Sequence, residues 1–507
     1  MPFRSLWTGH WGVFASAFLL LLAPMLIWGL ASPLGAVPDE PSHAIRAAAV
    51  VRGEPVSQPW AEHPSLAFAA VPRYVAELRD RTCFAFHPQT SAACATFAAD
   101  DPNEIVSTGT SAANNGPLFY AIVGMPTLFL TGDIALYGMR FVNAILCAGL
   151  LAAIFMQVSL FIRSRWTTAA VALAVTPMML FLGGSINPNG VEAASVGLLF
   201  VTLLGILRSP STRRILRERF VTIVVAVVLL VSTRSISLLW LLAVIAAALV
   251  FFNRSVFRVL VRRPPAWIAF AVSAVASFGA LVWFANPPNL LEIPLAGAGT
   301  KPGTAFVSML ARSFDFSGSY VGIFGWQDTP SPSFTILVIG SAVVILVLVA
   351  FIWGTGRARW VTLGFGGLLL LVPPVTQAVV APHLGYIWQG RYMLAIFVCF
   401  LISCGMAIDE AIIGRALLGR SRVALIVGVT LIGLGHFASL DTTLRRYMVG
   451  DHGAIQSMIL APEWQPPLGL AVLTLAMIAW ASIAASAVVG RLTDVQSILE
   501  RTTPHRA

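Results

Sequence analysis

Long apolar stretches separated by short polar ones set the pattern of this chain. Mostly apolar runs occupy 11–33, 136–162, 166–185, 188–207, 220–233, 236–252, 266–285, 333–353, 360–381, 391–413, 423–439 and 468–490. All but 220–233 approach the length a helix needs to cross the hydrocarbon core of a bilayer. The pattern predicts an all-α polytopic membrane protein, a bundle of about twelve transmembrane helices. The fifth run is short and is expected to be tilted, broken or paired with a re-entrant piece. A further apolar segment, 116–132, is interrupted by Pro126 and too short for a clean span. It is expected to lie as an amphipathic helix in the membrane interface. The first run reads as an uncleaved span, because no convincing small-residue cleavage site follows it.

Composition agrees with that pattern. Of 507 residues 57% are hydrophobic and 11% charged, with mean hydropathy +0.83, which excludes an ordinary soluble domain. The net charge of +10 follows from sidedness and does not point to nucleic acid. With the N-terminus inside, the inner connections are 163–165, 208–219, 253–265, 354–359 and 414–422, together with both termini. That side carries 20 arginines against 5 carboxylates, and the other side 12 basic residues against 17 acidic ones. Each inner connection holds at least two basic residues, as the positive-inside rule asks. The expected organisation is a single transmembrane domain over 1–490 with a cytoplasmic tail at 491–507. Its outer segments are 34–135, 286–332 with a surface helix at 304–316, the short 382–391, and 440–467. Short basic inner connections leave no room for a folded domain, so any chemistry belongs outside. No internal repeat and no inverted pair of broken helices marks a transporter. Cys147, Cys399 and Cys404 fall in apolar runs and read as buried apolar residues. Cys83 and Cys94 share the first outer segment and read as a disulfide that staples it.

That segment opens with Pro38-Asp39-Glu40-Pro41-Ser42-His43-Ala44-Ile45-Arg46. Ionisable residues at a bilayer boundary are costly unless used. Proline suits the first position of a helix and pushes the residue before it out of the α region. Pro41 is therefore expected to start a helix, with Glu40 extended before it and Asp39 one further out, on a loop. The alternative is that both carboxylates only complement the positive end of that helix.

Together with five other stretches, this motif resembles the type-C glycosyltransferase (GT-C) superfamily. Within it, the chain is similar to a bacterial family of multi-pass membrane proteins catalogued as a domain of unknown function. The stretches are Asn115-Gly116-Pro117-Leu118-Phe119-Tyr120, Arg140, Ser185-Ile186-Asn187-Pro188-Asn189-Gly190, Gly325-Trp326-Gln327-Asp328-Thr329 and Gln389-Gly390-Arg391-Tyr392. The resemblance runs over about 12–410. It departs from the family's proline-proline-leucine pattern at Gly116.

The resemblance implies a GT-C-like bundle whose long first outer loop carries juxtamembrane helices. It implies an inverting glycosyltransferase at the outer face of the bacterial cytoplasmic membrane. Such an enzyme uses a polyprenyl-phosphate-linked sugar and acts on a cell-envelope glycan or glycolipid. The superfamily's catalytic acid maps onto Asp39, the expected general base, with Glu40 beside it. A base for the acceptor hydroxyl and cations for the leaving phosphate are what this chemistry needs. Arginine clamps suffice for a monophosphate, so no cofactor is demanded, and a divalent ion would fall to Asp39 and Glu40.

Candidate substrate contacts are His43, Arg46, Arg234, Arg391, Asn187, Asn189, Trp326, Asp328 and Gln389. Arg391 is the first choice for phosphate, and Arg234 stands on the outer side against the charge trend. Simpler roles exist for each group. The arginines could snorkel to headgroups, the tryptophans could belt the interface, and Asn187 and Asn189 could cap a helix. The Arg445-Arg446 pair could bind phosphate or only solvate a loop. Two other functions stay open, a lipid-linked substrate transporter or flippase, and a non-catalytic scaffold subunit of the same fold. A transporter needs polar residues near the middle of several spans, and Gln377 is isolated there.

Overall fold

The computed structural model describes residues 9–95, 101–208, 211–314, 317–411 and 422–502. The expected inner connection at 414–422 lies outside these residues except for Arg422, as do residues 1–8 and 503–507 of the termini. Nine helices among the described residues are long and apolar enough to cross a membrane: His10–Ala31, Gly132–Ser159, Pro188–Arg208, Pro264–Ala285, Ser333–Trp353, Gly356–Leu384, Gly390–Glu410, Val423–Val449 and Gly469–Thr493. The chain is an all-α multi-pass membrane protein, with Pro188–Arg208 and Gly390–Glu410 almost wholly buried at its centre. Pro264–Ala285 stands on the perimeter, where Ala269 is its one buried residue.

The run expected as a single span at 166–185 is a bent pair, and the helix filling 236–252 turns sharply into a second one within the expected inner connection 253–265. Arg165–Ala174 and Pro177–Gly183 meet at 62°, and Ser237–Leu249 and Arg254–Leu260 at 120°. The first break has a local cause. Pro177 lacks the N–H that would continue the helix, and the Thr176 side chain accepts from Met179 N at 3.4 Å to start a new one. At the second break Asn253 caps the new helix by accepting from Ser255 N at 2.9 Å. The short run at 220–233 belongs to a longer helix, Arg213–Val231, whose first turns come from the arginine-rich connection. Arg219 is buried there, and its guanidinium donates to Gly205 O, Ser211 and Gln157.

The 116–132 segment forms a short helix, Pro117–Gly124, followed by a 3-10 turn, Met125–Leu128. Leu118, Met125, Leu128 and Phe129 lie exposed along it, as an interfacial element requires. The expected helix at 304–316 begins at Pro302 and runs to Ala311. Two small antiparallel sheets were not expected. Ala67–Pro72 pairs with Ile105–Thr110, Ala67 opposite Thr110, and Ile323–Phe324 pairs with Thr329–Pro330. The Cys83–Cys94 disulfide is present, with the two Cα atoms 6.1 Å apart.

The last expected outer segment is shortened, because its helix runs on to Val449. Arg445 and Arg446 are thus helical, not loop residues. Arg446 is buried and donates to Phe84 O, His87 O and Thr90 O inside the disulfide loop, which ties that loop to the bundle. The final helix, Gly469–Thr502, likewise continues into the expected tail.

Polar contacts gather at two separated ends. One end joins His10 to Glu218, Arg208 to Glu410, Asp409 to Thr167 N and Arg357 to Phe252 O. The other joins Asp39 to Arg391, Arg234 to Asn189, Trp283 to Asn114 O and Arg446 to Asp328. Apolar helices separate these ends, in the alternation the charge pattern predicts.

Candidate active site

The helix after the first span runs from Glu40 to Val51, with Pro41 in its first turn. Glu40 is therefore helical rather than extended, one residue earlier than expected. Asp39 is the residue before it, at φ 65°, in the left-handed region that aspartate tolerates better than most side chains. Its side chain makes no capping bond to the helix. The carboxylate therefore does not cap the helix.

Glu40 has a structural role. Its side chain is fully buried and paired with the equally buried Arg140. Oε1 accepts from Arg140 Nε at 2.8 Å and Ile186 N at 3.0 Å; Oε2 accepts from Arg140 Nη2 at 2.6 Å and Gly35 N at 3.0 Å. Four bonds occupy the lone pairs of both oxygens, which leaves none for a substrate or a metal. Arg140 also donates to Gly29 O, Ser32 O and Pro33 O. The pair is a buried clamp joining the end of the first span, the Asp39 turn, the second span and the 184–187 turn. Glu40 is thus a positioning residue, not the catalytic partner or metal ligand expected from its place beside Asp39.

Asp39 meets one cation. Arg391 Nη2 donates to Asp39 Oδ2 at 2.6 Å, with the arginine side chain 2% and the aspartate 45% exposed. Asp39 Oδ1 has no hydrogen-bond partner among the described residues. Arg391 Nε and Nη1 are buried without a partner. Beyond it the Tyr392 ring carries Arg391 at 5.6 Å and Arg234 at 4.1 Å. Arg234 also donates to Asn189 Oδ1 at 2.7 Å. Arg46, two turns into the Glu40–Val51 helix, is 3% exposed and lies 5.8 Å from the Trp283 ring. Among the described residues it has no ion-pair or hydrogen-bond partner. Burial lowers its pKa. A buried, unpaired cation is costly unless an anion completes it.

His43 and Tyr120 stand between these groups. His43 Nδ1 lies 2.8 Å from the Tyr120 hydroxyl, which accepts from Asn115 Nδ2 at 2.8 Å. Burial, opposed by the nearby Asp39 charge, lowers the His43 pKa to about 4, so the ring is neutral at physiological pH. Burial likewise raises that of the Tyr120 phenol. For His43 the unfolded chain then binds the extra proton between about pH 6.5 and 4. The associated stability is fully present above the unfolded value and is lost as pH falls toward 4, by at most ~3 kcal/mol. The thermal midpoint in detergent should therefore drop more on acidification for wild type than for His43→Gln. Equal slopes for the two proteins would contradict a buried neutral His43.

Of the remaining candidates, Asn189 reaches the cluster through Arg234. Asn187 bonds Pro38 O through Nδ2 at 3.2 Å and accepts from Asn189 N at 3.0 Å, so it shapes the turn. Trp326 donates from its indole N–H to Gly35 O at 3.0 Å and lines a cavity beside Asp39. Asp328 is drawn away from the site to the buried Arg446 at 3.0 Å. Gln389 Oε1 is buried without a partner two residues before Arg391. Tyr120 and Tyr392 were not singled out, although both end motifs already in view. Gly116 explains the departure from the family pattern. A Cβ there would stand 2.6 Å from Ser232 O, so a side chain would displace the turn that carries Arg234.

The model of the family described as "Predicted membrane protein (DUF2142)" matches residues 22–400. A comparison with curated proteins finds no match. Among solved structures the chain is similar to ArnT from Cupriavidus metallidurans bound to undecaprenyl phosphate. That match has 12% identity and a TM-score of 0.39, over 94% of this chain and 78% of that one.

Proposed function

This chain belongs to the DUF2142 family of predicted membrane proteins, and we propose that it is an inverting glycosyltransferase. In this reading it moves a sugar from a polyprenyl-phosphate donor to a hydroxyl of a cell-envelope glycan or glycolipid. The observation that carries the reading is the state of Asp39. Its carboxylate is half exposed, uninvolved in helix capping, held by Arg391 through one oxygen and open at the other. The positive-inside rule assigns the arginine-rich end to the cytoplasm and the Asp39 end to the outer face of the bacterial cytoplasmic membrane.

Asp39 Oδ1 takes the proton of the acceptor hydroxyl as its oxygen bonds to the anomeric carbon. The bond from that carbon to the phosphate oxygen breaks with inversion, and the polyprenyl phosphate leaves with the electron pair. Arg391, Arg234 and Arg46 receive the charge that develops on the leaving group. Arg391 also orients Asp39 and favours its ionised form. In this reading the lipid approaches from the side of Trp283, whose apolar helix, Pro264–Ala285, is unburied along nearly all of its length.

The test is mass spectrometry of envelope glycans from cells lacking the gene. One sugar component should disappear and return when the wild-type gene is restored. A glycan profile unchanged by the deletion would contradict the reading.

A further inference from the structure

Asp39 has a second side, away from Arg391. A cavity of about 460 Å³ opens there, within the range of small-ligand clefts, and Asp39, Ser42, His63, Arg79, Ser111 and Trp326 line it. Its chemistry differs from that of the arginine cluster. The indole N–H of Trp326 is engaged by Gly35 O, so what this residue offers a ligand is its ring. Phe86, 66% exposed, packs edge-to-face with that ring at 5.5 Å. The exposed His63, also in the wall, packs against Trp60 at 5.0 Å.

Hydroxyl-sized donors and acceptors fill the rest. Ser42 Oγ accepts from Ser111 Oγ at 3.0 Å, and its own O–H has no acceptor among the described residues. Arg79 donates from Nη2 to Gly109 O at 3.0 Å and keeps its other N–H groups without protein partners among the described residues. Asp39 Oδ1 is the open acceptor. Backbone strain gathers here too. Four non-glycine residues among those described have left-handed φ, and three of them, Asp39, Phe86 and Gln327, border this cavity or the Trp326 that walls it. Such strain persists where surrounding structure enforces it, most often at functional sites.

We propose that this cavity is the acceptor subsite and that it takes a neutral sugar ring. The aliphatic C–H face of the ring lies on Trp326, and its hydroxyls meet Ser42, Arg79 and Asp39. With one carboxylate and one guanidinium the wall has no excess charge, which suits a polyol and not a second phosphate. Asp39 then stands between the two subsites, with acceptor on one side and donor phosphate on the other. The inference rests on the glycosyltransferase reading, but its test does not depend on turnover.

The experiment is saturation-transfer NMR on the detergent-solubilised full chain, with methyl gluco-, galacto- and mannopyranoside as probes. At least one glycoside should show saturable binding. Trp326→Ala should weaken it by about tenfold, and the exposed His63→Ala should weaken it less. Arg357→Gln, at the opposite end of the bundle, should leave it unchanged. No glycoside binding by wild type, or binding indifferent to Trp326→Ala in a protein that keeps its thermal midpoint, overturns the subsite. Glycoside binding as expected in a protein with no transfer activity would leave the subsite standing and remove the enzyme. Transfer whose acceptor KM ignores Trp326→Ala would do the reverse.

Discussion

Arg140→Met should destabilise the protein more than any change at the candidate substrate contacts. It leaves the buried Glu40 as a carboxylate without its cation, still desolvated and now short of two hydrogen bonds. Removing one partner of a buried pair costs about 3–5 kcal/mol, more than the pair itself contributes over an apolar replacement. Three carbonyls, those of Gly29, Ser32 and Pro33, lose their donors in the same step. A second substitution, Glu40→Leu, removes the orphaned charge and should recover part of the loss, but not the part owed to those carbonyls. Thermal midpoints of the single and double variants in detergent check this. A double variant no more stable than Arg140→Met would contradict a clamp based on charge pairing. The clamp also sets the Asp39 turn, so transfer should fall with the fold.

Asp39→Asn should have the largest effect on activity and little on stability. Asparagine is isosteric and tolerates left-handed φ at least as well, so the turn at φ 65° is not strained further. Its amide oxygen can still accept from Arg391. What disappears is the basic oxygen, and general-base catalysis typically accounts for about 10²–10⁴ in rate. Loss of one negative charge beside Arg391 leaves the arginine cluster more positive. Donor binding should therefore be unchanged or tighter while transfer collapses. Asp39→Glu keeps the base but adds a methylene, which moves the reacting oxygen and should restore only part of the rate.

Local chemistry made some of this legible from the chain alone. The twelve apolar runs are helical because length and hydropathy decide the matter within each run. Asp39 could be singled out because Pro41 fixes where the helix begins, and Arg234 because it breaks the charge trend of its side. Glu40 could not be told from Asp39, because its partner lies 100 residues away on another helix. Asp328 was misplaced for the same reason, its cation being Arg446 at a separation of 118. The Ala67–Pro72 strand finds its partner more than thirty residues on, beyond any hairpin signal. The bend within 166–185 had a signal in Thr176-Pro177, hidden by an apolar run that continues on both sides. The cavity beside Asp39 draws its walls from five separate stretches, 39–42, 63–66, 79–82, Ser111 and Trp326, and no spacing records it.

The central claim is that Asp39, held by Arg391 through one oxygen, acts as general base through the other, beside arginines that take the donor phosphate. Its most direct test uses purified protein in proteoliposomes, a polyprenyl-phosphate sugar radiolabelled in the sugar, and the envelope glycan lacking in the deletion strain. Donor binding and label transfer are measured separately for wild type and Asp39→Asn. The account predicts equal or tighter donor binding by the variant, with transfer slowed by about 10²-fold or more. Transfer by Asp39→Asn at the wild-type rate would contradict it.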